Sequence, residues 1–321
     1  MSPGPGGEEV VHMVGSAAQS ERPVLGGVLP VFQTPYHDDE SIDYATLEKE
    51  IDWLFDAGAD GIVMAMVSEV LRLSTDEREL LAEHACRLGH GLGAVIISVG
   101  AESARVAVRL GRHAESVGAT AVMAIPPVSI AAMESEVLRY YDRILEAVDI
   151  PVVVQDASGY VGRPMPVDLL VRMQRAFGSR VLFKPEATPI GPRLSALREA
   201  TGGEAAVFEG SGGIALVDSY RRGIVGTMPG AELIEALVAL WRALVAGDEQ
   251  RTYRLSLPLS SLIGMQSGLD GFLAVEKYLL VKQGVFRNTL VRGPVGFMLD
   301  EETRAEVDRL FDQLMAAVRD V

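Results

Sequence analysis

A single cysteine, Cys86, is all that 321 residues contain, and this excludes an intrachain disulfide framework and any cysteine-rich zinc or iron–sulfur centre. Cys86 falls in the helical stretch Glu83-His84-Ala85-Cys86-Arg87, where a buried structural thiol is expected. The five histidines, His12, His37, His84, His90 and His113, show no ligand spacing, so no metal site is expected. Lysine is scarce as well: Lys49, Lys184, Lys277 and Lys282 are the only ones, and the rest of the 29 basic side chains are arginine. Acids outnumber cations 44 to 29, for a net charge of −15. That sign argues against nucleic acid or an anionic membrane as a partner, because clustered cations hold both. No apolar run reaches the roughly 18 to 20 residues of a membrane span. The first residues have no basic segment, and the apolar patch at Val10, Val11, Met13 and Val14 is too short for a signal core. Residues 1–22 are therefore expected to form a flexible tail on a cytoplasmic protein.

What is present is a globular composition, 48% hydrophobic and 23% charged, with enough apolar material for a sizeable core. Short runs of Val, Ile and Ala alternate with longer segments of helical spacing. The strand candidates are residues 26–32, 61–66, 94–99, 119–125, 151–155, 181–184, 205–208 and 224–228. Helix starts fall at Ser41 or Asp43, at Ser74, at Ser103 and at Asp168. Near-continuous apolar strands joined by helices mark parallel strands buried on both faces. Eight such units fit residues 23–248, the length of a (β/α)8 TIM barrel, with residues 249–321 as a C-terminal helical extension. A doubly wound sheet would usually carry a glycine fingerprint after its first strand, and here that turn is Gln33-Thr34-Pro35-Tyr36.

Chemistry in such a barrel sits at the C-terminal ends of the strands, and this shortens the list of candidates. Lys184 follows the apolar strand Val181-Leu182-Phe183. A desolvated amine there could form a Schiff base with a ketone; a structural ion pair with Glu186 or Asp156 is the alternative. Glu186, two residues on, projects to the same face of an extended chain and could shuttle a proton. Either Gln155 or Asp156 must face the barrel, and a neutral amide would orient substrate without taking a proton. Thr34, Ser68 and Glu69 end the first two strands, although an acid such as Glu69 is also common at a helix start. Gly210-Ser211-Gly212-Gly213 could hold a phosphate on backbone N–H groups or serve only as a tight turn.

The sequence resembles the dihydrodipicolinate synthase / N-acetylneuraminate lyase family over nearly all of residues 24–315. The stretches that carry the resemblance are Gly27-Val28-Leu29-Pro30-Val31-Phe32-Gln33-Thr34-Pro35, Ala57-Gly58-Ala59-Asp60-Gly61, Pro126-Pro127, Ile150-Pro151-Val152 and Phe183-Lys184. The resemblance implies that Lys184 is a Schiff-base nucleophile, that the covalent imine replaces any cofactor, and that the protein is a homo-oligomer, tetramer or dimer. Departures narrow it further. Val67 stands where the family has the threonine of a proton relay, and Gln155-Asp156 replaces its strand-5 tyrosine. Val128 or Ser129 takes the place of a tyrosine that reaches a neighbouring subunit. No carboxylate-binding arginine follows strand 5, where Tyr160 is nearest in register.

Ser68-Glu69, Gln155-Asp156-Ala157 and Lys184-Pro185-Glu186 are similar to the 2-keto-3-deoxyarabonate dehydratase branch. The resemblance then implies a lyase that dehydrates a 2-keto-3-deoxy sugar acid to 2-oxoglutarate semialdehyde. In that reading Lys184, Glu186, Ser68 and Gln155 are catalytic, and Thr34, Glu69, Asp156, Ser211 and Gly212 bind the small 2-oxo acid. A pyruvate-dependent aldolase, or a barrel that binds a phosphorylated ligand without turning it over, is the alternative.

Overall fold

Alternation along the strands builds the architecture, because successive side chains of a strand point to opposite faces. The computed structural model describes residues 25–320, so the tail expected at 1–22 lies outside the described residues. Eight parallel strands follow in chain order: β1 Gly27–Val28, β2 Gly61–Val63, β3 Ala94–Ser98, β4 Ala121–Ala124, β5 Val152–Asp156, β6 Val181–Pro185, β7 Phe208–Glu209 and β8 Gly226–Thr227. Strands β2 to β6 form one ladder, and β1 pairs with β8, which pairs with β7. Parallel bridges Val31 to Val63 and Phe183 to Val207 join the two into a closed ring.

Each strand candidate falls on one of these strands, although the regular ladder of β1, β7 and β8 is only two residues long. Val63, Ile96, Met123, Val153 and Leu182 fill the barrel interior. Their neighbours Ile62, Val95, Val122, Val152 and Val181 pack outward against the helices. Counting on by twos puts Gln155 and Lys184 on the interior face, and the two lie side by side in the β5–β6 register.

The surrounding helices are α1 Tyr44–Asp56, α2 Thr75–Gly89, α3 Ala104–Ser116, α4 Glu134–Leu145, α5 Val167–Phe177, α6 Ile190–Ala200, α7 Leu216–Arg221 and α8 Ile234–Ala246. Asp43, Ser74 and Ser103 cap α1, α2 and α3 as expected, Ser74 in a reciprocal capping box with Glu77. Helix α5 starts earlier than expected, with Pro166 at its cap. Asp168 lies in its first turn, where a carboxylate still complements the helix dipole.

Beyond the barrel come α9 Glu249–Ile263, α10 Gly268–Lys282 and α11 Glu301–Arg319. Helix α10 is not peripheral. Phe272, Val275, Glu276, Lys277, Leu279 and Leu280 are all buried, and α10 contacts the 3-10 turn Met66–Ser68 that follows β2.

Candidate active site

Lys184 is 4% exposed and extends from β6 into a narrow cleft at the C-terminal ends of the strands. Its Nζ lies 2.8 Å from Glu186 Oε1, and the same oxygen accepts a 3.0 Å hydrogen bond from Gln155 Nε2. The other oxygen, Glu186 Oε2, is buried and has no partner. Burial raises the Glu186 carboxyl above its ordinary range, and the adjacent Lys184 opposes that rise. The ammonium proton that an attacking amine must shed therefore has an acceptor one hydrogen bond away. Gly210 makes room for the pair, since a Cβ on it would lie 2.5 Å from Lys184 Cε and 2.7 Å from Glu186 Oε1.

The cleft gathers Lys184, Glu186, Gln155 and Gly212 of the residues proposed from sequence. It does not gather the others, each for a local reason. Thr34 Oγ1 donates to the Ser68 carbonyl at 2.6 Å. Ser68 Oγ donates to the Phe32 carbonyl at 2.6 Å and accepts the Ala65 N–H at 3.1 Å, which closes the turn after β2. Glu69 adopts a left-handed φ of 59° and pairs with Lys277 at 2.5 Å. Asp156 points outward with Val154, and its two oxygens accept the N–H groups of Ser158 and Met165. The Ser211 hydroxyl donates to Glu209 and accepts the Ala215 N–H. These five residues shape the mouth rather than line the cleft.

Several lining groups were not among the site residues proposed from sequence. Tyr160 enters from the loop after β5 and packs edge-on against Phe272 of α10. Burial, with the carboxylates of Glu186 and Glu276, raises its phenol far above the usual range, so it stands as a neutral donor. Glu276, also from α10, is wholly buried in the cleft wall. The signal for it was a Glu-Lys pair interrupting the apolar helix run Phe272-Leu273-Ala274-Val275 and Tyr278-Leu279-Leu280. Charges are costly inside such a run unless paired. Ala65, Met66 and Val67 form another part of the wall. The first N–H groups of a helical turn such as Met66–Ser68 have no partner within it, which suits them to a carboxylate.

Among the described residues no group of three or more His, Cys, Asp or Glu side chains is placed to hold a metal ion. Cys86 is buried, and its thiol is pushed up to about 12 by that burial, as a structural thiol should be. No helix of the described residues is long and apolar enough to cross a membrane.

Comparison with known proteins adds an independent line. The profile of the Dihydrodipicolinate synthetase family matches residues 24–314. An L-2-keto-3-deoxyarabonate dehydratase from Azospirillum brasilense is 30% identical over 297 residues, covering 90% of this chain and 94% of that one. A 4-hydroxy-tetrahydrodipicolinate synthase from Ralstonia nicotianae is 29% identical over 241 residues, 74% of this chain and 81% of its own. The crystal structure of a dihydrodipicolinate synthase from Rhodopseudomonas palustris superimposes with a TM-score of 0.81 at 27% identity, over 90% of this chain and 97% of that one.

Proposed function

The chain belongs to the dihydrodipicolinate synthetase family, whose members are lyases, and from that premise we propose that it dehydrates a 2-keto-3-deoxy sugar acid through an imine on Lys184. The observation that carries this reading is one buried lysine at the mouth of the barrel, with Glu186 at 2.8 Å and Gln155 on the same carboxylate oxygen. Likeness to a 2-keto-3-deoxyarabonate dehydratase supports the choice of a C4-hydroxy 2-oxo acid of five carbons.

The steps follow from the groups in place. Lys184, having passed a proton to Glu186, attacks the C2 carbonyl carbon; Glu186 then returns that proton to the departing C2 hydroxyl, which leaves as water, so that an iminium ion and a Glu186 carboxylate remain. That cation acidifies the C3 protons, and Glu186, the nearest carboxylate, removes one to give an enamine. Gln155 holds the Glu186 oxygen without competing for the proton. The substrate carboxylate fits the N–H groups at the start of the Met66–Ser68 turn. The enamine electron pair then expels the C4 hydroxyl as water, leaving an unsaturated iminium whose hydrolysis frees the product and restores Lys184. For a pentonate the product tautomerises to 2-oxoglutarate semialdehyde. No cofactor enters this scheme. We also infer assembly with further copies of the chain, favoured by Ile130 and Met133 standing 64% and 69% exposed beside the cleft-side loop after β4.

Borohydride reduction in the presence of pyruvate or a 2-keto-3-deoxy acid, followed by mass measurement of the peptide carrying Lys184, tests the reading. The expected result is one reduced adduct on Lys184 and release of 2-oxoglutarate semialdehyde from the pentonate. An unmodified Lys184 would overturn it in favour of a binding barrel, and release of pyruvate from the deoxy acid would replace dehydration by retro-aldol cleavage.

A further inference from the structure

The departure of a C4 hydroxyl needs a proton; Lys184 is held as the imine, and Glu186 could give only the proton it has just taken from C3. Ser68 does not line the cleft, as its hydroxyl closes the turn after β2. The geometry points instead to Glu276 as the general acid that protonates the leaving hydroxyl, with Glu232 as the positioning residue that keeps it supplied with a proton. This assignment rests on the dehydratase reading above.

Glu276 is 0% exposed, yet it lines the same cleft as Lys184 and Glu186 while coming from a different element, α10. Its Oε2 accepts from Gln33 Nε2 at 2.5 Å, and its Oε1 has no donor. Glu232 is 3% exposed and is fixed by Gln266 Nε2, which donates to its Oε1 at 2.9 Å. Its Oε2 is likewise without a donor. Both of these oxygens turn toward Gly230, where a Cβ would lie 1.9 Å from Glu276 Oε1 and 2.4 Å from Glu232 Oε2. Only glycine leaves that space open. The two carboxyl groups therefore face the same enclosed space, and two buried carboxylates so placed oppose each other's ionisation. Desolvation, and for Glu276 the neighbouring Glu232 and Glu50 as well, push both pKa values up, which favours the protonated form that a general acid needs.

In this step Glu186 gains the C3 proton, Glu276 gives its proton to the C4 oxygen, the C4–O bond breaks with its electrons leaving on water, and the enamine pair becomes the C3–C4 double bond. Exchange with solvent then releases the proton from Glu186 and restores one to Glu276 before the next turnover. Tyr160, the other uncharged donor in the wall, has a phenol raised so far by burial and nearby carboxylates that it is the weaker acid.

Two reactions separate this step from the ones before it. Solvent deuterium exchange into the methyl group of pyruvate needs only Lys184 and the base, and is followed by NMR. Dehydration of a 2-keto-3-deoxypentonate needs the acid too. Glu276→Gln is expected to form the borohydride-trapped adduct and exchange pyruvate protons at about the wild-type rate, and to lower kcat for dehydration by about 10²-fold or more. Glu232→Gln should shift the alkaline limb of the kcat profile to lower pH, which loss of packing alone would not do. Dehydration by Glu276→Gln at the wild-type rate would overturn the assignment, as would loss of exchange in step with dehydration. A greater loss in Tyr160→Phe than in Glu276→Gln would transfer the role to Tyr160. If wild type forms no adduct, the Schiff-base reading itself falls; if it forms the adduct and exchanges protons but releases no water from the pentonate, the leaving-group role falls alone.

Discussion

Two of the four lysines are buried beside glutamates at the same end of the barrel, and their surroundings differ in one decisive respect. Lys277 donates to Glu69 at 2.5 Å, to the Thr34 carbonyl at 2.9 Å and to the Leu290 carbonyl at 2.6 Å, and lies 4.5 Å from the centre of the Tyr36 ring. All three of its protons are engaged. Burial lowers its pKa, and the Glu69 carboxylate pulls it back up. Lys184 has Glu186 alone and faces a cleft. A buried lysine–glutamate pair is thus not in itself a catalytic signature. What separates the amine proposed to react from the structural one is the number of donors left over and the space in front of them.

The largest effects should fall on Lys184. Lys184→Arg is expected to abolish the trapped adduct and reduce turnover to background, since a guanidinium is not a nucleophile at neutral pH. An adduct persisting in that variant, seen by mass, would erase the distinction. Lys277→Met should keep the adduct but cost about 3–5 kcal/mol in denaturant unfolding, because Glu69 is left buried without its cation. If the two variants exchanged these phenotypes, the roles would have to be exchanged too. Next, Gly210→Ala should press on Lys184 Cε and Glu186 Oε1 and lower the rate of adduct formation by about 10²-fold through misplacement alone.

The smallest effect concerns pH. Burial holds Glu276 neutral in the folded chain, well above its ordinary value near 4.5, so the folded state binds more protons than the unfolded one above that pH. Wild-type stability should then fall as pH rises, by at most about 1.4 kcal/mol per pH unit from this group. Glu276→Gln lacks that loss and should gain in Tm on wild type between pH 5 and pH 8. A Tm difference constant across the range would show that Glu276 ionises freely.

The sequence made the strand-borne part of the site legible because a strand has a fixed parity. Once Leu182 and Val153 are interior, Lys184, Glu186 and Gln155 follow. The hydroxyls were harder to place. Thr34 and Ser68 stand at the correct strand ends, but a hydroxyl turns to whichever backbone carbonyl is nearest, and no spacing rule fixes that. Asp156 was open between two faces until its bonds to Ser158 and Met165 settled it outward. Glu276 and Lys277 depend on the docking of α10 onto the barrel end, a tertiary event that local pattern records only as charges set in an apolar run, whereas Glu232 sits in the loop between β8 and α8. The family and its barrel were legible in the motifs at the strand ends, while a proton donor was not, since Gln155 and Asp156 rather than a tyrosine end β5.

The position of α10 also bears on how the protein is made. Chains fold from the N-terminus at about 5–20 residues per second of synthesis, so the eight strands exist some seconds before residues 268–282 follow. During that interval Glu50 and Glu69 have no lysine, and the mouth has neither Glu276 nor Phe272. A nascent barrel would be a hydrated vessel with its amine in place and its chemistry incomplete. The late helix is therefore the element that closes the mouth, and it can do so only after all eight strands have been made.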